Sequence, residues 1–200
     1  EMQRSLVGSE MCIRDSVCPE HNAGMTVIPQ ILTNHAEDFL AIAEILREYG
    51  YDTVNLNLGC PSGTVAARGR GAGFLAMPDE LDHFLEEIFE KCPLRISIKT
   101  RIGKENPAEW ERLLAIYEKY PLEELIVHPR VQTDFYKNRV NLEAFARAEK
   151  NSRHSLCYNG DIVDAASAAH IREGFPSVDK FMIGRGPVSY THLTLPTNSL

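Results

Sequence analysis

The sequence predicts an α/β fold, a partial TIM (β/α)8 barrel of about six β/α units. Three observations predict it. Apolar runs of strand length alternate with helix-period stripes from residue 26 to residue 183. Strict alternation of this kind implies parallel strands joined by right-handed crossovers. Polar residues also recur at the ends of successive strands: Asn57, Lys99, His128, Asn159 and Arg185. In a barrel those carboxyl ends converge on one mouth. A doubly wound dinucleotide fold shares the alternation, but no Gly-x-Gly-x-x-Gly joins a strand to a helix with an acidic residue about twenty positions on. The Gly69-Arg70-Gly71-Ala72-Gly73 run lies too far from its strand.

The elements follow in chain order. Thr26 to Leu32 reads as a strand, and Pro29 makes it irregular or places it at an edge. Phe39, Ala43, Leu46 and Tyr49 form a helical stripe over Ala36 to Tyr49, which Gly50 terminates. In Val54-Asn55-Leu56-Asn57-Leu58 the apolar residues fall on one face of a strand and the asparagines on the other. Gly59-Cys60-Pro61 stops that strand and begins a loop rich in glycine and alanine. Pro78 and Asp79 open a helix whose apolar face is Leu81, Phe84, Leu85, Ile88 and Phe89.

Arg95 to Lys99 is a strand with Ile96 and Ile98 opposite Ser97 and Lys99. Pro107 to Tyr120 reads as a helix, Glu124 to His128 as a strand, and Leu142 to Lys150 as a helix. Ser155 to Tyr158 is a short strand ending in Asn159-Gly160-Asp161. Ala165 to Arg172 is a helix, and Lys180 to Ile183 is a strand ending in Gly184-Arg185-Gly186. A full barrel needs eight such units, so the expectation is that the first two strands are missing. Residues 1–16 and 188–200 have no period and resemble translated adapter or vector sequence. Both are read as non-native segments and set aside.

Composition narrows the function. Five cysteines at irregular spacing fit neither a disulfide framework nor a zinc site, and a reducing cytoplasm is the default setting. The net charge of −7 argues against a broadly basic nucleic-acid surface, so any RNA contact needs a local basic patch. No apolar run is long enough to span a bilayer. None of the seven histidines forms a metal-ligand spacing.

Five features carry chemistry, and each has a plainer reading beside it. A cysteine is often a small buried hydrophobe; Cys60 differs by sitting in a glycine-rich loop after a strand, where a protonated thiol can serve as a general acid. Lys99 could snorkel, but a cation in a barrel mouth stabilises negative charge on a cofactor or intermediate. His128 alone would be a structural histidine. Asn159-Gly160-Asp161 and Gly184-Arg185-Gly186 are each good turn chemistry. Paired after the last two strands, they suit phosphate binding by backbone N–H groups and a guanidinium.

Together these stretches resemble the tRNA-dihydrouridine synthases. The resemblance runs through Val27-Ile28-Pro29-Gln30, Asn55 to Pro61, Gly71 to Leu75, Ile98 to Gly103, Val127 to Arg130, Tyr158 to Ile162 and Met182 to Gly186. It implies an FMN-dependent barrel over residues 17–187, with NADPH as reductant, tRNA as partner, and a helical tRNA-binding domain after the barrel. Hydride would pass to C6 of a uracil, and Cys60 would match the acid that protonates C5. By the same resemblance, Gln30 and Lys99 match residues holding the isoalloxazine ring, and His128 a flavin- or uracil-facing residue. Asn159, Gly160, Asp161, Gly184 and Arg185 match the ribityl and phosphate site. Asn57, Arg130 and Tyr136 are candidates for substrate contact. The expectation is that the family's first two strands and its carboxyl-terminal helical domain are missing. The expectation is therefore a fragment, itself inactive, of an active parent. Two alternatives stand beside this reading: a flavin barrel acting on a free pyrimidine, as dihydroorotate dehydrogenases do, and an inactive RNA-binding remnant.

Overall fold

A computed structural model describes residues 5–6 and 17–184. Its strands are β1 (Ser5–Leu6), β2 (Gln30–Ile31), β3 (Thr53–Leu58), β4 (Arg95–Arg101), β5 (Leu125–His128), β6 (Leu156–Asn159) and β7 (Lys180–Met182). They form one seven-stranded sheet in the order β1 to β7, and every neighbouring pair is parallel. Consecutive order with parallel pairing is the arrangement of a barrel wall, not of a doubly wound sheet, whose strand order reverses at a switch point. Six of the strands are those read from the sequence. The seventh, β1, lies within the amino-terminal segment set aside above.

The helices are α1 (Ala36–Glu48), the short α2 (Gly63–Ala66), α3 (Pro78–Lys91), α4 (Glu109–Tyr117), α5 (Leu142–Asn151) and α6 (Ala165–Gly174). Gly50 takes φ +84° just after α1, a conformation in which a side chain would be strained. Asn141 caps α5 by accepting from the Ala144 N–H at 3.0 Å. The Glu109 carboxylate accepts from the N–H groups of Lys104, Glu105 and Asn106. These bonds fold the chain into a turn before α4, so the helix begins later than Pro107.

The core lies between helices and sheet. Val54, Leu56, Leu58, Ile96, Ile98, Leu125 and Val127 point outward and are buried under Phe39, Leu46, Leu81, Leu85, Ile88, Trp110, Leu113 and Phe145. Phe84 meets both Phe39 and Phe74 edge-on, a favoured aromatic geometry. Trp110 donates its indole N–H to Ala144 O at 2.8 Å, tying α4 to α5. β2 is short but paired on both sides, which settles the Pro29 question: the segment is irregular and is not an edge.

The opposite face of the sheet departs from the simplest reading of β3. All six residues of β3 are buried, asparagines included. Alternation there separates two buried environments, an apolar one toward the helices and a polar one inside the wall.

Candidate active site

Register places the polar side chains of the inner face in rows. Gln30, Asn55 and Ser97 share one row, Asn57 and Lys99 a second, and Arg101 and His128 a third. Their shared face follows from the two-residue strand period. The rows climb toward the carboxyl ends of the strands, where the Cys60 loop begins.

A hydrogen-bond relay crosses the inner face. The N–H groups of Gly59 and Cys60 both donate to Asn57 Oδ1 at 3.0 Å. Asn57 Nδ2 donates to Gln30 Oε1 at 2.7 Å, and Gln30 Nε2 donates to Asn55 Oδ1 at 2.7 Å. Asn55 Nδ2 donates to Ser97 Oγ at 2.8 Å, and Ser97 Oγ donates to Val54 O at 3.3 Å. The two ends fix every amide between them. Backbone N–H groups can only donate and a backbone carbonyl can only accept, so each Asn and Gln has one orientation. The relay holds the start of the Cys60 loop from inside the wall.

Arg101 holds the same loop from above. It is buried, and its Nε donates to Gly59 O at 3.0 Å. One terminal nitrogen donates to Val131 O at 2.9 Å and the other to Phe135 O at 2.7 Å. Its guanidinium carbon stands 5.3 Å from the centre of the Tyr136 ring. Burial depresses its pKa. Gln132 Nε2 adds a second bridge, to Pro61 O at 2.9 Å. The Cys60 loop and the loop after β5 are thereby fastened together.

Lys99 lies beneath them, half-buried. Its Nζ stands 3.5 Å from where a side-chain carbon on Gly59 would be. Burial, helped by the like charge of Arg101, pushes its pKa down to about 8. Among the described residues, it forms no ion pair with a carboxylate. Cys157 is buried on the inner face of β6, and burial pushes its thiol up to about 12. Cys60 is only half-buried. The two cysteines of this face therefore differ: one is sealed in the wall and the other stands at the mouth.

His128, Arg130 and Asp161 form a chain at the rim. Arg130 reaches Asp161 Oδ1 at 3.0 Å and Oδ2 at 2.5 Å, Asn138 O at 2.6 Å, and His128 Nε2 at 3.0 Å. Guanidinium only donates, so His128 Nε2 accepts and the ring proton sits on Nδ1. Arg130 is 2% exposed, and these bonds turn its fork toward the protein. Tyr136 is 46% exposed and lies 6.1 Å from the His128 ring.

The structure thus brings together Gln30, Asn57, Cys60, Lys99, His128 and Tyr136, with Arg130 and Asp161 behind His128. Asn159 is on the same face and donates to Met182 O at 2.8 Å. Gly160 sits where a Cβ would press on Val140 at 3.0 Å and the Tyr158 hydroxyl at 3.2 Å, so packing by itself accounts for the glycine. Gly184 is exposed with open space around it. Arg185 lies outside the described residues. Asn55, Ser97, Arg101 and Gln132 had not been singled out as site residues. Arg101 carried a usable signal: two positions after Lys99 on one strand, it must share that residue's face. Among the described residues, no group of three or more His, Cys, Asp or Glu could hold a metal ion. No helix among them is long and apolar enough to cross a membrane.

A consecutive parallel β/α wall with polar side chains gathered at its strand ends defines a protein of the TIM-barrel class. The dihydrouridine synthase (Dus) family model matches residues 5–194, and the chain belongs to that family. It is 27% identical over 177 residues to a probable tRNA-dihydrouridine synthase of Rhodobacter capsulatus, covering 87% of this chain and 54% of that protein. It is 29% identical over 166 residues to one of Staphylococcus aureus, covering 80% and 50% respectively. The tRNA-dihydrouridine synthase B of Pasteurella multocida is 25% identical over 166 residues, covering 82% and 49%. The chain spans about half the length of the curated relatives it matches.

Proposed function

We propose that this chain is the catalytic-site portion of an enzyme that reduces uridine in tRNA to 5,6-dihydrouridine, with FMN as cofactor and NADPH as reductant. One observation carries the reading. A half-buried cation, Lys99, stands beside the Cys60 loop and forms no ion pair with a carboxylate among the described residues. A buried cation of this kind is costly unless an anion or an electron-rich group joins it. The donor set fits a flavin. Among the described residues, Gln30 and Asn57 each retain one amide N–H after the relay, and Lys99 would oppose the negative charge of the reduced ring.

Reduced FMN, when bound, supplies a hydride to C6 of the uracil. The chain's own residues do the rest. Cys60 gives its Sγ proton to C5, so the S–H bond breaks and a C–H bond forms. Lys99, whose Nζ stands beside the Gly59–Cys60 backbone, stabilises the thiolate that remains. Asn57 and Arg101 hold the loop still while the proton moves. His128, held at Nε2 by Arg130, presents its ring at the rim. The target base must leave its stack to enter such a mouth.

The test uses the complete gene product with FMN, NADPH and tRNA, and measures dihydrouridine by mass spectrometry. Cys60→Ala should keep the flavin and lose most of the reduction. A Cys60→Ala protein as active as the parent would remove the thiol from the chemistry. Turnover of free dihydroorotate in place of tRNA would move the chain to the free-pyrimidine reading.

A further inference from the structure

The loop after β5 carries a feature that the proton transfer does not use. Phe135 is 42% exposed and has φ +49° and ψ −97°. Few non-glycine residues adopt positive φ, and a bulky aromatic one does so at a cost. Two bonds hold it there: its N–H donates to Gln132 O at 3.1 Å, and its carbonyl accepts from Arg101 at 2.7 Å. The structure therefore holds an aromatic ring in solvent on a strained backbone, where a glycine would be easier.

Its surroundings say what the ring is for. Arg101 binds both Phe135 O and Gly59 O, so Phe135 stands within one guanidinium's span of the residue preceding Cys60. Tyr136 is the next residue and is also exposed. Lys137 and Arg139 follow on the same loop, both exposed. Asp134, the loop's acid, accepts from the Val131 N–H and from the Asn138 amide. On a chain of net charge −7, this is a local cluster of exposed aromatic and cationic side chains at the mouth. That pairing is what an unstacked nucleic-acid strand requires: a flat surface for a base and cations for the phosphates.

We propose that Phe135 is a stacking platform for the nucleotide next to the target base, with Lys137 and Arg139 contacting the phosphates of the same RNA strand. The inference rests on the tRNA reading above and adds a second base-binding position to it. The strain at Phe135 is then explained, because the ring is held outward in advance and need not be ordered on binding.

The test measures binding of an RNA hairpin with an unpaired uridine loop to the complete gene product, by fluorescence anisotropy at fixed salt. Phe135→Gly relieves the positive φ and should leave the melting temperature unchanged or raise it. It should nevertheless weaken RNA binding by roughly 5- to 150-fold, the range for losing one stacked base. Phe135→Trp should retain binding. With 4-thiouridine beside the loop uridine, photocrosslinks should map to the peptide bearing Phe135 and Tyr136. Wild-type binding with an unaffected Phe135→Gly variant, or crosslinks confined to other peptides, would overturn this inference and leave the tRNA reading standing. A folded wild type that binds flavin but no RNA would overturn both.

Discussion

Gly71→Ala tests the geometry of the Cys60 loop without touching any reacting atom. Gly71 has φ +56°, and a Cβ built there would lie 2.8 Å from Cys60 Cβ and 3.0 Å from Cys60 O. Carbon atoms in contact normally stand about 3.5–4.0 Å apart, so Cys60 and Gly71 must separate by roughly 0.7 Å or more. The left-handed conformation adds about 1–2 kcal/mol for any residue with a Cβ. Overpacking of this kind typically adds about 1–3 kcal/mol. The bond from the Ala72 N–H to Cys60 O, now 3.1 Å, would stretch as well. Together these give a loss of about 2–5 kcal/mol. A displaced acid of this order can cost about 100-fold in rate. Gly63→Ala is the control: the same change in the same loop, on α2, with nothing within 4 Å of the new carbon. It should be neutral or stabilise by about 0.4–1 kcal/mol. Urea unfolding followed by Trp110 fluorescence gives the stability, and dihydrouridine formation gives the rate. Equal stability and activity for the Gly71→Ala and Gly63→Ala proteins would refute the packing described here.

Two further predictions follow from the inner face. Lys99, held near pKa 8 in the folded chain, binds fewer protons folded than unfolded between about pH 8 and 10.5. Its burial therefore costs stability below pH 8, and the cost is relieved as pH rises across that window. Lys99→Met should raise stability at pH 7, by up to about 3 kcal/mol, and the advantage should shrink toward pH 10.5. A variant less stable than wild type at pH 7 would mean that Lys99 has a partner in the apo protein. Arg101→Met leaves the buried Gly59 carbonyl without its donor and Val131 O with only the Asp134 N–H at 3.3 Å. Each unsatisfied group costs about 1–3 kcal/mol, partly offset by no longer burying a guanidinium. The signature is release of both loops: faster amide exchange at 59–61 and 131–136 and little change in β3. Uniform exchange across the sheet would mean that Arg101 only supports the core.

The polar relay explains how far one chain can be read without its fold. Each strand with a helix after it repeats a local rule, so β3, β4 and the helices α1 and α3 were legible from period and punctuation. Their consecutive parallel order followed from alternation. Strand ends were legible too, and with them Cys60, Lys99 and His128. The limits lay wherever a partner came from elsewhere in the chain. Asn55 could be placed only on the face opposite Val54 and Leu56, because alternation cannot distinguish solvent from a polar interior. Ser97 could be placed on the face of Lys99, but its bond to Asn55, 42 positions earlier, could not be read. Arg130 was a candidate for substrate contact, and its pairing with Asp161, 31 positions later, could not be read from the sequence.

What the sequence determined by itself was the periodic skeleton and the set of chemically able side chains at its strand ends. Those properties depend on residues within one turn or one strand of each other. Tertiary structure decided which of them touch. Register brought Gln30 between Asn55 and Asn57, and Arg101 joined two loops whose carbonyls are separated by more than 70 residues. Hydrogen bonds act over about 3 Å, so a partner far along the chain becomes a partner only when the sheet is assembled.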